Sequence, residues 1–273
     1  MSPQPDYSLH GKKKYGLMFS GTFLVFLILF IVSLFRWPAG ITVILGLAAL
    51  NTLLGNIWGR RMPRAKEKAC AAVSAALVKG AGRVLDIGTG PGILAIHLAK
   101  QGFEAFGIDP DAEAIQRARD NAAAELNPTR TSARAGDPAA SPQADPEKPE
   151  AALSASDRRD RLDEMFRPGD GAQLPFEDDA FDAVTSLNVI HELKDPTGTM
   201  AEAGRVLRPG GLLAMADMRL GPATFSIFWF GFFKFLSRKR LKTLLASAGF
   251  SDIRISRATA FHHLITARKG KKN

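Results

Sequence analysis

Residues 83–92 read RVLDIGTGPG, an apolar strand pattern that breaks into three alternating glycines. The residues that follow, ILAIHLAK at Ile93–Lys100, have the pattern of a helix. A strand that ends in a glycine-rich turn before a helix lets backbone N–H groups approach a ligand closely. The spacing is not the dinucleotide fingerprint G-x-G-x-x-G, because Gly92 comes one residue early and Ile93 stands in the place of the last glycine. The stretch therefore predicts a ligand-binding loop and argues against a nicotinamide enzyme.

The residues after this loop continue the alternation of strand and helix. A second strand pattern at 105–108 ends at Asp109, and residues 111–126 follow as a helix with one apolar face. An acid at the end of the second strand can accept both hydroxyls of a ribose in a bidentate hydrogen bond, as in related nucleotide sites. The alternative interpretation of Asp109 is a helix cap.

Composition limits the size and class of the protein. The chain has 273 residues, enough for one α/β domain and an additional segment, and its net charge of +9 suggests an anionic partner or an anionic membrane surface. The basic clusters lie beside apolar segments rather than among stacking aromatics, so no nucleic-acid partner is expected. The single cysteine excludes an intramolecular disulfide, and no Cys/His cluster has the spacing of metal ligands, so no metal is predicted.

Three further motifs follow the glycine loop in order: GDGAQLPF at 169–176, EDDAFDAVTSLNVIHEL at 177–193 and GRVLRPGGLLAMADM at 204–218. Together with the D-x-G-x-G-x-G pattern of the loop, this order resembles class I S-adenosylmethionine-dependent methyltransferases, in the subgroup that includes the ubiquinone and menaquinone biosynthesis enzymes. The resemblance places a methyltransferase domain at 64–268. It implies a doubly wound, seven-stranded Rossmann-like α/β sheet that binds S-adenosylmethionine at the carboxyl ends of its strands.

The resemblance assigns the first part of the cofactor site to the glycine loop and the second strand. It implies that Asp86 reaches the methionine amino group through water. Gly88 and Gly90 would shape the loop beneath the cofactor, and Asp109 would bind the ribose.

The remainder of the cofactor site is assigned to the later motifs. Asp170 would accept a hydrogen bond from the adenine amino group, Gly171 would donate a backbone N–H to the ring, and Asn188 would line the methionine portion. The chain departs from the family pattern at residues 127–162, an insertion with few large apolar side chains that is predicted to be disordered. The insertion contains an alternative Gly-Asp pair that ends at Asp137, although only the pair at Asp170 precedes LPF.

The sequence offers one candidate for proton transfer. Methyl transfer from a sulfonium depends on alignment and exclusion of water, and it needs a base only if the acceptor must lose a proton. His191 follows the fourth strand in NVIHEL, so its imidazole is a candidate general base. Alternatively, His191 packs against the cofactor or caps the next helix. A non-catalytic, cofactor-binding membrane scaffold is also compatible with the sequence.

A membrane anchor is predicted ahead of the domain. Residues 1–15 are polar and basic, and residues 16–35 form an uncharged apolar block of the length that spans a bilayer as a helix. A weaker block at 40–58 either spans as the second arm of a hairpin or lies in the interface, and a transmembrane hairpin is therefore placed at 16–58. Basic residues flank both outer ends, and the positive-inside rule then places the catalytic domain on the cytoplasmic side of the membrane.

Residues 225–235, FSIFWFGFFKF, carry seven aromatic side chains in eleven positions. The segment is too short to span a bilayer and precedes a basic run at 238–242, which suits a position at the membrane interface. This predicts membrane lipids as partners and a lipophilic acceptor, such as a quinone-like, isoprenoid or phospholipid molecule. The alternatives are that the segment packs against the protein's own helices or a partner, and that the acceptor is a water-soluble small molecule.

Overall fold

The computed structural model of the protein describes residues 25–32, 39–77, 82–126, 154–222, 224 and 235–270. Residues 25–32 are helical. The elements that follow in chain order are α1 (Ala39–Gly59), α2 (Met62–Ala76), β1 (Arg83–Ile87), α3 (Ile93–Lys100), β2 (Glu104–Asp109), α4 (Ala112–Leu126), α5 (Ala155–Met165), β3 (Phe166–Pro168), β4 (Phe181–Leu187), α6 (Pro196–Val206), β5 (Leu207–Met218), α7 (Arg238–Ser247), β6 (Phe250–Arg257) and β7 (His262–Lys269).

The strands form one seven-stranded sheet in the order β3-β2-β1-β4-β5-β7-β6. β7 runs antiparallel to its neighbours β5 and β6, and the other neighbouring pairs are parallel. The predicted seven-stranded Rossmann-like α/β sheet is confirmed. Because the strand order reverses between β1 and β4, a crevice for a ligand lies at the carboxyl ends of these two strands.

Helices cover both faces of the sheet, and β1 shows why. Val84 and Leu85 are adjacent and both fully buried, which is the pattern of a parallel strand with a helical layer on each side. Val84 belongs to the core layer with α2, α3 and α4, and Leu85 to the layer with α6 and α7. The first layer includes Val73, Leu94, Leu98, Ile115 and Phe166, and the second includes Phe106, Phe181, Met200, Leu213 and Leu245.

Helix α5 corrects the predicted extent of the disordered insertion. Ser154 and Asp157 form a capping box at its start, with each side chain accepting the backbone N–H of the other at 3.1 and 3.2 Å. Leu162 packs against the core layer beneath α4. The insertion predicted at 127–162 therefore extends too far along the chain, and residues 127–153 lie outside the described residues.

The amino-terminal helices expose large apolar side chains. Val43, Ile44 and Leu47 of α1 are 60%, 65% and 61% exposed. Within the described ranges no single helix has both the length and the apolar character needed to cross a bilayer. Taken together, the two helical segments Ile41–Ile57 and Met62–Ala76, which meet at a bend, have enough length and apolar composition to do so. The hairpin predicted at 16–58 is not confirmed, since much of its first arm lies outside the described residues.

The aromatic segment is described only at its last residue, because residues 225–234 lie outside the described ranges. Phe235 is buried in a small apolar cluster with Ala65, Met218 and Phe261. This cluster joins the start of α2 to the end of β5. The last ring of the segment therefore faces the protein interior.

Candidate active site

A cavity of about 1630 Å³ lies at the carboxyl ends of β1, β2 and β4, where the strand order reverses. The structure brings every residue that the sequence assigned to cofactor binding or catalysis to its wall. These residues are Asp86, Gly88, Gly90, Asp109, Asp170, Gly171, Asn188 and His191. The alternative acid, Asp137, lies outside the described residues.

The glycine loop is anchored to the end of β2. The N–H groups of Gly88 and Thr89 both donate to the carbonyl oxygen of Ile108, at 2.8 and 3.0 Å. Gly88 and Gly90 have φ angles of 68° and 54°, in the left-handed region that glycine tolerates best. A Cβ at position 88 would lie 2.4 Å from Val189 Cγ2, whereas a Cβ at position 90 would meet nothing within 4 Å. Packing therefore requires Gly88, and Gly90 leaves open space in the cavity wall.

Asp109 ties this loop to the start of α4. Its Oδ2 accepts the Gly90 N–H at 2.8 Å and its Oδ1 accepts the Asp111 N–H at 3.0 Å. The helix cap expected as an alternative role for Asp109 belongs to Asp111, whose Oδ1 accepts the Glu113 N–H at 2.9 Å. A carboxylate has about four lone-pair sites, so two bonds to backbone leave Asp109 able to accept two more. This capacity matches the two hydroxyls of a ribose.

Asp86 is a buried acid at the end of β1. Burial raises its pKa to about 7, an effect opposed in part by a hydrogen bond from Thr185 Oγ1 to its Oδ1 at 3.1 Å. Lys66 of α2 lines the same cavity. Burial lowers the pKa of its ammonium group, and the negative charge of Asp86 is one of the influences that raise that pKa. A cationic group brought to Asp86 would stabilise its carboxylate form. The methionine amino group of the cofactor is such a group.

The later motifs place three further residues on the wall. Asp170 Oδ1 accepts the Ala172 N–H at 2.9 Å, and its other oxygen has no hydrogen-bond partner among the described residues. Gly171 packs closely, since a Cβ there would lie 2.9 Å from Ile87 Cγ2. Asn188 has a φ of 63°, uncommon for a residue with a side chain, and its Oδ1 is buried without a partner in the described part of the chain. These two side-chain oxygens are sites where a ligand can donate hydrogen bonds.

His191 is paired with a second acid, Asp217, at the end of β5. His191 Nδ1 lies 2.5 Å from Asp217 Oδ1, and the backbone N–H of His191 donates to Asp217 Oδ2 at 3.1 Å. Asp217 is itself held by the Met218 N–H at 2.7 Å. The Phe235 ring meets the imidazole edge-on, with the ring centroids 5.0 Å apart. The imidazole is thus oriented by a buried carboxylate and shielded on one side by an aromatic ring.

Sequence reasoning missed Lys66 and Asp217. Asp217 ends a parallel strand, as Asp109 does, and that shared position was the signal that could have identified it. Lys66 had no such signal, because its place in the cavity depends on how α2 packs against β5 and β7. Within the described ranges, no group of three or more metal-binding side chains is placed to hold a metal ion.

Residues 58–255 match the sequence model of a protein family, the methyltransferase domain. The chain belongs to the methyltransferase domain family. The predictions of a methyltransferase and of S-adenosylmethionine as its cofactor are confirmed at the level of this family. The matched range contains the whole candidate site, from the glycine loop to Asp217.

Curated relatives match about half of the chain. The chain is 30% identical over 142 residues to 27-O-demethylrifamycin SV methyltransferase of Amycolatopsis mediterranei, an alignment that covers 52% of this chain and 40% of the relative. It is 30% identical over 149 residues to demethylmenaquinone methyltransferase of Deinococcus radiodurans, with 54% and 47% covered. The chain thus spans about half the length of these relatives or less.

Solved structures show the same fold at lower identity. An S-adenosylmethionine-dependent methyltransferase from Thermotoga maritima superposes with a TM-score of 0.51 at 21% identity, covering 75% of this chain and 89% of the other. At this identity the likeness supports the fold alone.

The residues of the cavity fit S-adenosylmethionine. Gly90 leaves room in the loop, and one side-chain oxygen each of Asp170 and Asn188, without a partner among the described residues, offers an acceptor for donors on the ligand. Asp86 adds a carboxyl group at the end of β1, and Asp109 adds a carboxylate at the end of β2. The donor and acceptor set therefore agrees with an adenosyl group that carries an amino acid.

Proposed function

We propose that the protein transfers a methyl group from S-adenosylmethionine to an acceptor that must lose a proton, and that His191 is the general base. The observation that carries this proposal is the His191–Asp217 pair, 2.5 Å apart at the wall of the cofactor cavity. A cofactor-binding scaffold needs no such pair. Hydrogen bonding of the second imidazole nitrogen to a buried carboxylate is the arrangement that orients a histidine base.

The chain's residues divide the work between binding and proton transfer. Asp109 holds the ribose, Asp170 the adenine amino group, and Asp86 the methionine amino group. When bound, S-adenosylmethionine supplies an electrophilic methyl group on a sulfonium centre. His191 Nε2 takes the proton from the acceptor, while Nδ1–H donates to Asp217, whose charge stabilises the imidazolium that forms.

The proposed acceptor is a lipophilic small molecule or lipid that reaches the site from a membrane. Two observations support this: α1 exposes a row of large apolar side chains, and α1 is followed after two residues by α2, which lines the cavity through Lys66. Contiguous exposed apolar surface of this kind marks interaction with a membrane or another protein. The proposal includes an anchor within residues 16–58 and a domain on the cytoplasmic side. The two named relatives are methyltransferases of 27-O-demethylrifamycin SV and of demethylmenaquinone.

A water-soluble acceptor is a second candidate, because one observation favours it. Phe235 is buried against α2 and His191, so the last ring of the aromatic segment packs on the protein itself rather than facing a membrane. A soluble small molecule needs no bilayer to reach the cavity, whose wall includes residues of α2 and of the loop after β4.

Two measurements on the full chain test the proposal. Isothermal titration measures affinity for S-adenosylmethionine, and incubation with radiolabelled cofactor and fractionated cell extract measures turnover. We expect label in the organic-solvent fraction, with His191→Gln retaining cofactor affinity and losing about 10²- to 10⁴-fold in rate. Label confined to the aqueous fraction would favour the soluble acceptor. Cofactor binding without labelling of any fraction would favour the scaffold.

A further inference from the structure

Three arginines converge near the end of β6, apart from the residues that line the active-site cavity. Arg219, directly after β5, donates from Nη1 to the carbonyl oxygen of Ala260 at 3.2 Å. Arg257, at the end of β6, donates from Nε to the carbonyl oxygen of Thr259 at 3.3 Å. The two guanidinium groups therefore bind the carbonyl oxygens of consecutive residues in the turn that joins β6 to β7.

The third arginine reaches the same face of β6 from the start of α7. Arg238 donates from Nη2 to the carbonyl oxygen of Ile255. Ile255 packs in the core layer that contains α7, and Arg257, two residues further along the strand, points to that same face. Arg219, Arg238 and Arg257 thus form one cluster, which we call the arginine cluster.

The arginine cluster has no counter-charge among the residues that the structure describes. In the described part of the chain, none of its three members has a carboxylate within 4.0 Å. Arg219 Nε is buried and has no hydrogen-bond partner in the same ranges. Like charges repel each other, and guanidinium groups stay protonated in proteins.

Two further observations show that the cluster is electrostatically unfavourable on its own. The pKa of Arg219 is lowered by burial and then by the charges of Arg257 and Arg238. Arg238 also begins a helix whose first turn has no acid and contains Lys239 and Arg240. Cations at a helix amino terminus oppose the helix dipole. A bound anion would relieve both effects at once.

We propose that the arginine cluster of Arg219, Arg238 and Arg257 binds a phosphate ester group. Planar guanidinium groups pair with phosphate oxygens in bidentate fashion, and three of them match a group that carries several acceptor oxygens. The site is distinct from the methyl-transfer cavity and does not depend on the reaction carried out there.

The surroundings of the cluster indicate where such a phosphate comes from. Phe261, next to the turn that Arg219 and Arg257 contact, packs with Ala65 and Met62 at the start of α2. α2 follows the exposed apolar surface of α1 after two residues. A lipid headgroup would place its phosphate near this end of the molecule, and a soluble phosphate ester could occupy the same site.

The test uses the full chain and two probes. Sedimentation with phosphatidylcholine vesicles, with and without phosphatidylglycerol, measures the preference for an anionic lipid surface. Thermal unfolding with and without glycerol 3-phosphate measures binding of the soluble ester, because a ligand that binds only the folded state raises the unfolding temperature. The variant is Arg257→Gln. Its matched control is Arg268→Gln on β7, which removes the same charge. Like Arg257, Arg268 donates to a backbone carbonyl oxygen, in this case that of Gly210 at 2.8 Å.

We expect Arg257→Gln to lower the preference for phosphatidylglycerol vesicles about fivefold, and Arg268→Gln to leave it nearly unchanged. Arg257→Lys keeps the charge without the planar fork and should fall between them. Loss of the glycerol 3-phosphate effect in Arg257→Gln, with unchanged vesicle binding, would support the soluble source. Equal losses in Arg257→Gln and Arg268→Gln, or no response of the wild-type chain to either probe, would overturn the proposal. Unchanged affinity for S-adenosylmethionine shows that each variant is folded.

Discussion

Three glycines allow backbone strain, packing and ligand binding to be measured separately. Gly88, Gly90 and Gly210 all have φ between 54° and 77°. An alanine at any of them must adopt the left-handed conformation, which costs about 1–2 kcal/mol. Gly88 and Gly90 line the cavity, whereas Gly210, near the start of strand β5, does not. The three Gly→Ala substitutions therefore share one conformational cost and differ in what the new methyl group meets.

The surroundings of each added Cβ set the expected differences. At position 88 it would lie 2.4 and 2.6 Å from the two γ-carbons of Val189, so overpacking adds about 1–3 kcal/mol to the conformational cost. At positions 90 and 210 it would meet nothing within 4 Å. Gly88→Ala should therefore lose about 2–5 kcal/mol in free energy of unfolding, and the other two about 1–2 kcal/mol each.

The Gly90→Ala and Gly210→Ala variants, which share the same expected loss of stability, should differ in their affinity for the cofactor. The open space at Gly90 lies in the cavity wall, where S-adenosylmethionine is expected to pack against the loop. Gly90→Ala should weaken cofactor binding about tenfold or more, and Gly210→Ala should leave it within about twofold. Chemical denaturation gives the free energies of unfolding and isothermal titration gives the affinities. Equal cofactor affinities in the Gly90 and Gly210 variants would refute the placement of the ligand against this loop.

Val189 provides an internal check on the packing argument. In the double variant Gly88→Ala with Val189→Ala, the two γ-carbons that crowd position 88 are gone, and only the Val189 Cβ, at 3.1 Å, remains close. The second substitution should then cost less in the Gly88→Ala background than alone. If the two losses simply add, the clash does not cause the instability of the Gly88 variant.

Other parts of the site give further predictions. Asp109→Ala should weaken cofactor binding about tenfold or more by titration, since a charge-assisted bond is lost, while Asp109→Asn should lose less because one acceptor oxygen remains. The pKa of Asp86 is about 7 when folded, above its ordinary 3.8, so its contribution to stability is present at low pH and is lost as the pH rises through 7. Relative to Asp86→Asn, the wild-type chain should therefore become less stable by about 1–3 kcal/mol between pH 5 and pH 8 in denaturant titrations without cofactor. Deleting most of residues 127–153 should change the free energy of unfolding little, whereas a deletion that continues through Leu162 should lower it by about 2 kcal/mol or more, because core packing is lost.

The cofactor loop could be predicted from the sequence because its determinants are local. A strand, a turn that requires glycine and a helix follow one another within residues 83–100, and φ angles are properties of single residues. Asp109 could be placed for a related reason, since strand ends in a parallel sheet meet along one edge. The same rule applied to β5 would have found Asp217, but its partner His191 lies in the loop that follows another strand, β4. Their contact depends on the register of β4 against β5.

Helix α5 shows why composition alone misplaced a boundary. Its sequence, ASDRRDRLDEM, is strongly polar, and the low apolar content supported the prediction of disorder. Two features outweigh that: the capping box of Ser154 and Asp157, and an ion pair from Asp163 to Arg119 of α4 at 3.0 Å. The first is visible in the sequence as Ser-x-x-Asp. The second needs the fold, because the helix forms against a neighbour that sequence patterns do not identify.

Phe235 connects the aromatic segment to the chemistry of the site whichever acceptor the protein uses. Its ring is buried against Met218 and lies edge-on to His191, so the carboxyl end of residues 225–235 is fixed beside the candidate base. A ring in that position keeps water from one side of the imidazole, which strengthens the bond between His191 and Asp217 in a low-dielectric setting. Any displacement of this ring would open that side of the imidazole to water. Under the proposed function, a substitution at Phe235 would therefore act on the base itself, through the ring that packs edge-on against His191.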